Sequence, residues 1–113
     1  GSDATRSPHH SDARLHRAPA LQEIIAVVAR YTNIPQKQLK SASRRQSIVS
    51  ARALAVYLAR VLCRVSYDQI GRAFGGRDHT TIMYNFKKIE RQLTQDVAMQ
   101  EVVAELCRIL SNR

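Results

Sequence analysis

Glycine and proline are scarce in this 113-residue sequence, four and three in all, and the nine acidic residues are half as many as the 18 basic ones. The scarcity of chain breakers, with 44% apolar residues, marks an ordinary globular protein rather than a low-complexity chain. The two cysteines, Cys63 and Cys107, form no CxxC pair and have no histidine at ligand spacing. They read as two reduced, partly buried thiols, which suits a cytosolic protein. No apolar run approaches the ~20 residues of a membrane helix. The first residues, "GSDATRSPHHSDARLHRAP", lack any apolar stretch and so do not read as a signal peptide. Strand alternation is missing throughout, and so is any internal repeat. What remains is one all-α domain with room for a modest core.

The charge that is present is strong and uneven. The net value is +9, with a pI near 10.4. Residues 21–65 hold eight basic side chains against one acidic, whereas residues 96–113 are net negative. A small domain this basic on one part of its chain meets a polyanion, nucleic acid first and an anionic membrane surface second. Residues 1–18 are polar and read as a disordered lead-in, with an opening Gly-Ser that resembles a tag scar, so the chain is expected to be an excised piece. Its histidines, His9, His10 and His16, read as part of that tail rather than as a metal site.

From Pro19 onward the pattern is helical. Leu21, Ile24, Ile25 and Val28 make one stripe on a first helix, with Pro19 near its start. Pro35 opens a short turn that buries Ile34 and Leu39, and "SASRRQS" follows as a basic loop. A long helix from about Ile48 or Ser50 to Arg64 turns Leu54, Ala55, Leu58, Val61 and Leu62 to the core, with Val65 closing the stripe. Arg52, Arg60 and Arg64 lie on the rest of that cylinder. Ser66 and Gln69 form an S-x-x-Q capping box ahead of a two-turn helix. Asp78 is the N-cap of the next, whose core residues are Ile82, Phe86, Ile89 and Leu93. A last helix from Asp96 buries Met99, Val102, Val103, Leu106 and Leu110. The expected architecture is a compact helical bundle with a helix-turn-helix motif, an additional basic loop and a C-terminal helix.

The stretch "FGGRDHTT", Phe74 to Thr81, carries the functional signal. Asp beside His with hydroxyls nearby suggests an enzyme, but neighbours on a helix point about 100° apart and no nucleophile or metal-binding carboxylate cluster accompanies them. Two glycines suggest a phosphate cradle, but GxxxxGK[ST] is absent. A short capped helix, a glycine turn and a longer helix with a polar first turn is instead a helix-turn-helix layout. In that motif the second helix enters the major groove with its first residues on base edges. Asp78 can accept from a cytosine amine, the methyls of Thr80 and Thr81 can meet a thymine methyl, and His79 can bond or pack on a base. Arg77 can meet a phosphate or a guanine. One of Gly75 and Gly76 is expected at φ > 0, the other where two backbones turn closely.

The run "IGRAFGGRDHTTIMYNFKKIE", Ile70 to Glu90, resembles the signature of the C-terminal DNA-binding domains of bacterial replication initiators of the DnaA family, and the likeness extends from about Leu21 to Leu110. The resemblance implies double-stranded DNA as partner, at short asymmetric sites close to TTATNCACA at the replication origin. By position it implies base contacts from Asp78, His79, Thr80 and Thr81 in the major groove, and from Arg44 in the adjacent minor groove. Backbone or mixed contacts are implied for Arg52 and Arg60, and expected also from Arg45, Arg77, Ser66 and Lys87. The sequence departs from the family at Ala51-Arg52-Ala53, where Pro-Arg-Gln is usual, at Tyr84, where histidine is frequent, and in a less basic loop.

These readings make residues 19–113 a DNA-binding domain, cytoplasmic and nucleoid-associated, monomeric when isolated, without cofactor or catalytic residues of its own. An initiator of this family would carry ATP on a separate upstream ATPase domain. The rivals are a regulator or transposon-associated protein with the same reader, a basic module that docks an acidic protein, and a peripheral membrane binder. The last is disfavoured because no large apolar residue is expected on the surface.

Overall fold

Three helix starts in this chain are set by side chains that satisfy free N–H groups of a first turn. The Ser66 hydroxyl accepts from Gln69 N at 3.1 Å while Gln69 Oε1 accepts from Ser66 N at 3.0 Å. Asp78 Oδ1 accepts from Thr81 N at 2.9 Å, and Asp96 Oδ1 from Met99 N at 3.1 Å. The structure, a computed structural model, describes residues 18–112. Nearly all of the tail read at residues 1–18, with His9, His10 and His16, lies outside the described residues.

Among the described residues six α-helices follow in order: α1 Leu21–Thr32, α2 Gln36–Leu39, α3 Gln46–Leu58, α4 Tyr67–Ala73, α5 His79–Gln92 and α6 Val97–Ser111. No strand occurs among the described residues. Proline 19 stands before the N-cap of α1, Ala20, rather than at the first helical position, and Glu23 accepts from the Ala20 N–H at 2.7 Å. The helix ends at Asn33, which takes the left-handed conformation at φ 60°.

The central element is α3. It packs most extensively against α5, and also against α1, α2 and α6. It begins at Gln46, earlier than its apolar stripe suggests, because Arg45 is the extended residue that opens it. Residues Ala51 to Val56 are buried without interruption, Arg52 included at 5% exposure. Its buried alanines, Ala51, Ala53 and Ala55, are small enough to let neighbouring helices come close. The stretch Gln46–Cys63 is, against expectation, long and apolar enough to cross a membrane, with mean hydropathy 1.3 over 18 residues, but half of it is buried in the bundle.

The helix widens into a π-helical turn at Ala59–Cys63 and stops at Arg64, which sits at φ 60°. Widening shifts the residues that follow relative to the 3.6-residue pattern. Val61, expected in the core, is consequently 43% exposed. Large apolar side chains do reach the surface, contrary to expectation: Tyr31, Val61, Tyr84 and Val97, each on a different element.

One core joins Ile24, Ile25 and Val28 of α1 to Leu39, Leu54, Leu58, Ile70, Phe74, Ile82, Leu106 and Leu110. Phe74, fully buried, pins the helix-turn-helix turn to that core. Beside it, Tyr57 stacks on Phe86 at 5.2 Å and Tyr67 meets the same ring edge-on at 6.2 Å. Both cysteines are half-buried, and the Cys63 thiol donates to the Pro19 carbonyl at 2.8 Å.

Candidate nucleic-acid interface

The first turn of α5 is built by its cap. With Thr81 N taken by the Asp78 carboxylate, the turn is closed and His79, Thr80 and Thr81 all stand exposed. The hydrogen bonds from Thr81 hold the Asp78 carboxyl below the usual carboxylate range. Asp78 itself is exposed at the start of the helix. His79 Nδ1 lies 3.9 Å from Asp68 Oδ1 on α4, with both side chains largely in solvent. Asp68 was not singled out by its sequence context, since an acidic first turn is ordinary for a helix.

The turn before α5 uses its glycines in two ways. Gly75 and Gly76 both have positive φ, 81° and 80°, rather than only one of them. The close approach expected of one member of that pair belongs to Gly75 and also to a third glycine, Gly71. A Cβ on Gly75 would stand 2.7 Å from the Lys40 carbonyl oxygen, and one on Gly71 only 2.1 Å from that of Arg77. Nothing lies within 4 Å of a Cβ on Gly76. The Gly71 carbonyl accepts from both Gly76 N and Arg77 N at 3.0 Å. A glycine inside an otherwise helical stretch was the available signal for that role.

The basic residues divide into engaged and free ones. Arg52, expected on the solvent side of α3, points inward instead. Its Nε donates to the Leu39 carbonyl at 2.8 Å, and its Nη2 to Ser41 at 2.8 Å and Ser43 at 3.2 Å. Burial, and then the charge of Arg77, lower its pKa from the ordinary arginine value. Arg77 donates from Nη1 to the Phe74 carbonyl and from Nη2 to that of Ser41 at 2.6 Å. Arg60 donates to the Val65 carbonyl at 2.9 Å and lies 4.3 Å over the Tyr67 ring. Ser66 has its hydroxyl in the α4 cap. By contrast, the side chains of Arg44, Arg45 and Lys87 are exposed and make no hydrogen bond or ion pair among the described residues.

Between the loop and α5 runs an open groove of about 490 Å³. Lys40, Arg44, Arg52 and Arg77 line it together with Ser43, Gly75 and Thr81, and no carboxylate does. Arg44 and Thr81 therefore face one basic channel although 36 residues separate them in sequence. Among the described residues no group of three or more histidine, cysteine or carboxylate side chains is placed to hold a metal.

The chain is similar to known proteins along this same stretch. The "Chromosomal replication initiator protein DnaA" of Bradyrhizobium sp. (strain ORS 278) is 41% identical over 92 residues, which are 81% of this chain and 19% of that protein. Its namesake from Rhizobium meliloti (strain 1021) is 35% identical over 103 residues, 91% of this chain and 22% of the relative. The chain thus spans about a fifth of the length of these relatives. A crystal structure described as a DNA replication initiation factor superposes with a TM-score of 0.75 at 27% identity, covering 91% of this chain and 31% of that one. The family described as "Bacterial dnaA protein helix-turn-helix" matches residues 21–89, from the first turn of α1 to the buried Ile89 of α5. The capped turn, the glycine contacts and the basic groove all fall inside that span, and the chain belongs to this bacterial DnaA helix-turn-helix family.

Proposed function

We propose that this domain binds double-stranded DNA and reads short asymmetric sites of the DnaA-box kind, as the DNA-anchoring part of a bacterial replication initiator. The observation that carries the reading is the placement of two unlike readers on one acid-free groove: the exposed first turn of α5 and the unengaged Arg44. Helix α5 enters the major groove with Asp78, His79, Thr80 and Thr81 at base edges. Arg44 reaches the adjacent minor groove, where a narrow A·T-rich stretch concentrates negative potential. Arg45 and Lys87 hold phosphates with free charges. Arg60 presents to the backbone the part of its guanidinium not bonded to Val65. These contacts fix register, whereas the base contacts choose the site. The domain acts as a monomer on its asymmetric site, and ATP binding belongs to another part of the initiator.

The test is a fluorescence-anisotropy titration of a duplex carrying TTATCCACA and of its scrambled counterpart, at two salt concentrations. A preference for the box that survives added salt is expected. His79→Ala should cost ~1–3 kcal/mol on the box and little on scrambled DNA. Equal binding to both duplexes, fading together as salt rises, would reduce the interaction to net charge and remove the assignment.

A further inference from the structure

Two of the engaged arginines meet at one atom. Arg52 and Arg77, 25 positions apart, both donate to the Ser41 carbonyl oxygen, at 2.8 and 2.6 Å. Arg77 also bonds the Phe74 carbonyl at the end of the first helix of the helix-turn-helix. Arg52 also bonds those of Leu39 and Ser43, on either side of Ser41. Residues 41–45 form no regular structure, so side-chain donors must serve carbonyls that no ladder satisfies. The backbone also comes close at Gly75, where any side chain would strike the carbonyl of Lys40, the residue just before the loop. Arg44 follows Ser43 directly and has no bond of its own.

We propose that Arg52, Arg77 and Gly75 form a clasp that sets the basic loop against the helix-turn-helix, and that Arg52 and Arg77 act in DNA binding as positioning residues for Arg44. The two readers then move as one body: the turn that fixes α5 also fixes the loop. The forked guanidinium is essential to this, because it serves two or three carbonyls in fixed directions where an ammonium is a single point. The proposal rests on the reading of Arg44 as a minor-groove contact. It differs from that reading in what it asks of Arg77, which need not touch a phosphate at all.

The test is a double-mutant cycle on the full chain with the box duplex, using Arg77→Lys, Arg44→Ala and the double variant. Lysine keeps the charge, so a mere phosphate contact would be largely preserved. The clasp predicts that Arg77→Lys weakens box binding several-fold, that Arg44→Ala weakens it more, and that the double variant binds no worse than Arg44→Ala alone. Losses that multiply would show that Arg77 acts independently of Arg44, overturning the clasp while leaving the Arg44 contact intact. No loss from Arg77→Lys would overturn it equally. No loss from Arg44→Ala would remove the minor-groove reading itself, and the clasp's purpose with it. Amide hydrogen exchange of the free proteins gives a second readout. Ser43 N and Arg45 N, each bonded within the loop at 3.2 Å, should exchange faster in Arg77→Lys while the interior of α3 is unchanged. Unchanged loop exchange would contradict the clasp. Should Arg77→Lys fail to fold, Arg52→Lys supports the same cycle through the same carbonyl.

Discussion

The first turn of α5 and the loop at residues 41–45 lie side by side on one groove, yet different kinds of bond hold them. The turn is held locally: Asp78 caps a helix that starts one residue later. The loop is held from afar, by Arg52 and Arg77 reaching across 11 and 36 positions to Ser41. A local device survives rearrangement of its surroundings, because it moves with its own helix. A long-range one exists only when the bundle has formed. One side of the groove is therefore shaped by its own sequence and the other by the folded core.

The glycines at the junction test this contrast most severely. Gly71→Ala places a Cβ 2.1 Å from a backbone oxygen that cannot swing away. It should cost ~3 kcal/mol, read as a large drop in the denaturation midpoint. Gly75→Ala combines positive φ with a contact at 2.7 Å to the loop and should cost ~2 kcal/mol. Gly76→Ala meets only the φ penalty and should cost ~1 kcal/mol. Gly75→Ala alone of the three should also reduce box preference at a temperature where each variant is folded, since it alone pushes on the loop. An order other than 71, 75, 76 in thermal melts would mean that the turn relaxes where the contacts say it cannot.

A smaller effect separates engaged from free cations. Lys87→Ala should weaken box and scrambled DNA alike and lower the salt slope by about 1, with unchanged melting temperature. Arg60→Ala should do the same to binding but also lower the melting temperature, because Val65 and the Tyr67 ring lose their partner. Equal melting of the two variants would make the Arg60 contacts incidental.

The same division decides what could be read from the sequence. The all-α class, the S-x-x-Q start of α4, the Asp78 cap and the buried faces at Ile24, Ile25, Leu58, Ile82 and Leu106 were all legible, because each depends on residues within a turn or two. Arg52 was not. On its helix it occupies a position that periodicity assigns to solvent, and the carbonyls of Leu39 and of the distant loop make its burial possible. The π turn at Ala59–Cys63 was also hidden, so Val61 was assigned to the core. Its terminus at Arg64 takes a left-handed conformation usual for glycine or asparagine. Gly71 was visible as a letter but not as a contact, since its neighbour at Arg77 is created by the turn it permits. At the interface, the α5 turn could be outlined from residue types alone. The bonds on Ser41 join residues 11 and 36 positions apart and leave no local signal.

The smallest effect concerns the cap itself. Its hydrogen bonds with Thr81 lower the folded-state pKa of Asp78 below its unfolded value. The stability this contributes is present above the unfolded value, about 3.9, and is lost as pH falls through the folded one. Asp78→Asn retains an acceptor for Thr81 N but no titrating group. It should melt slightly lower than wild type at neutral pH, and the difference should close as pH drops below about 4. Asp96 caps α6 in the same way, with its pKa lowered chiefly by the hydrogen bond from Met99 and then by that from Gln92. Asp96→Asn should follow the same pH course, but far from the groove. The comparison lies in DNA binding near neutral pH: Asp78→Asn should alter box preference while Asp96→Asn leaves it unchanged. If both variants kept full preference, Asp78 would be a cap alone, and reading by α5 would rest on His79, Thr80 and Thr81.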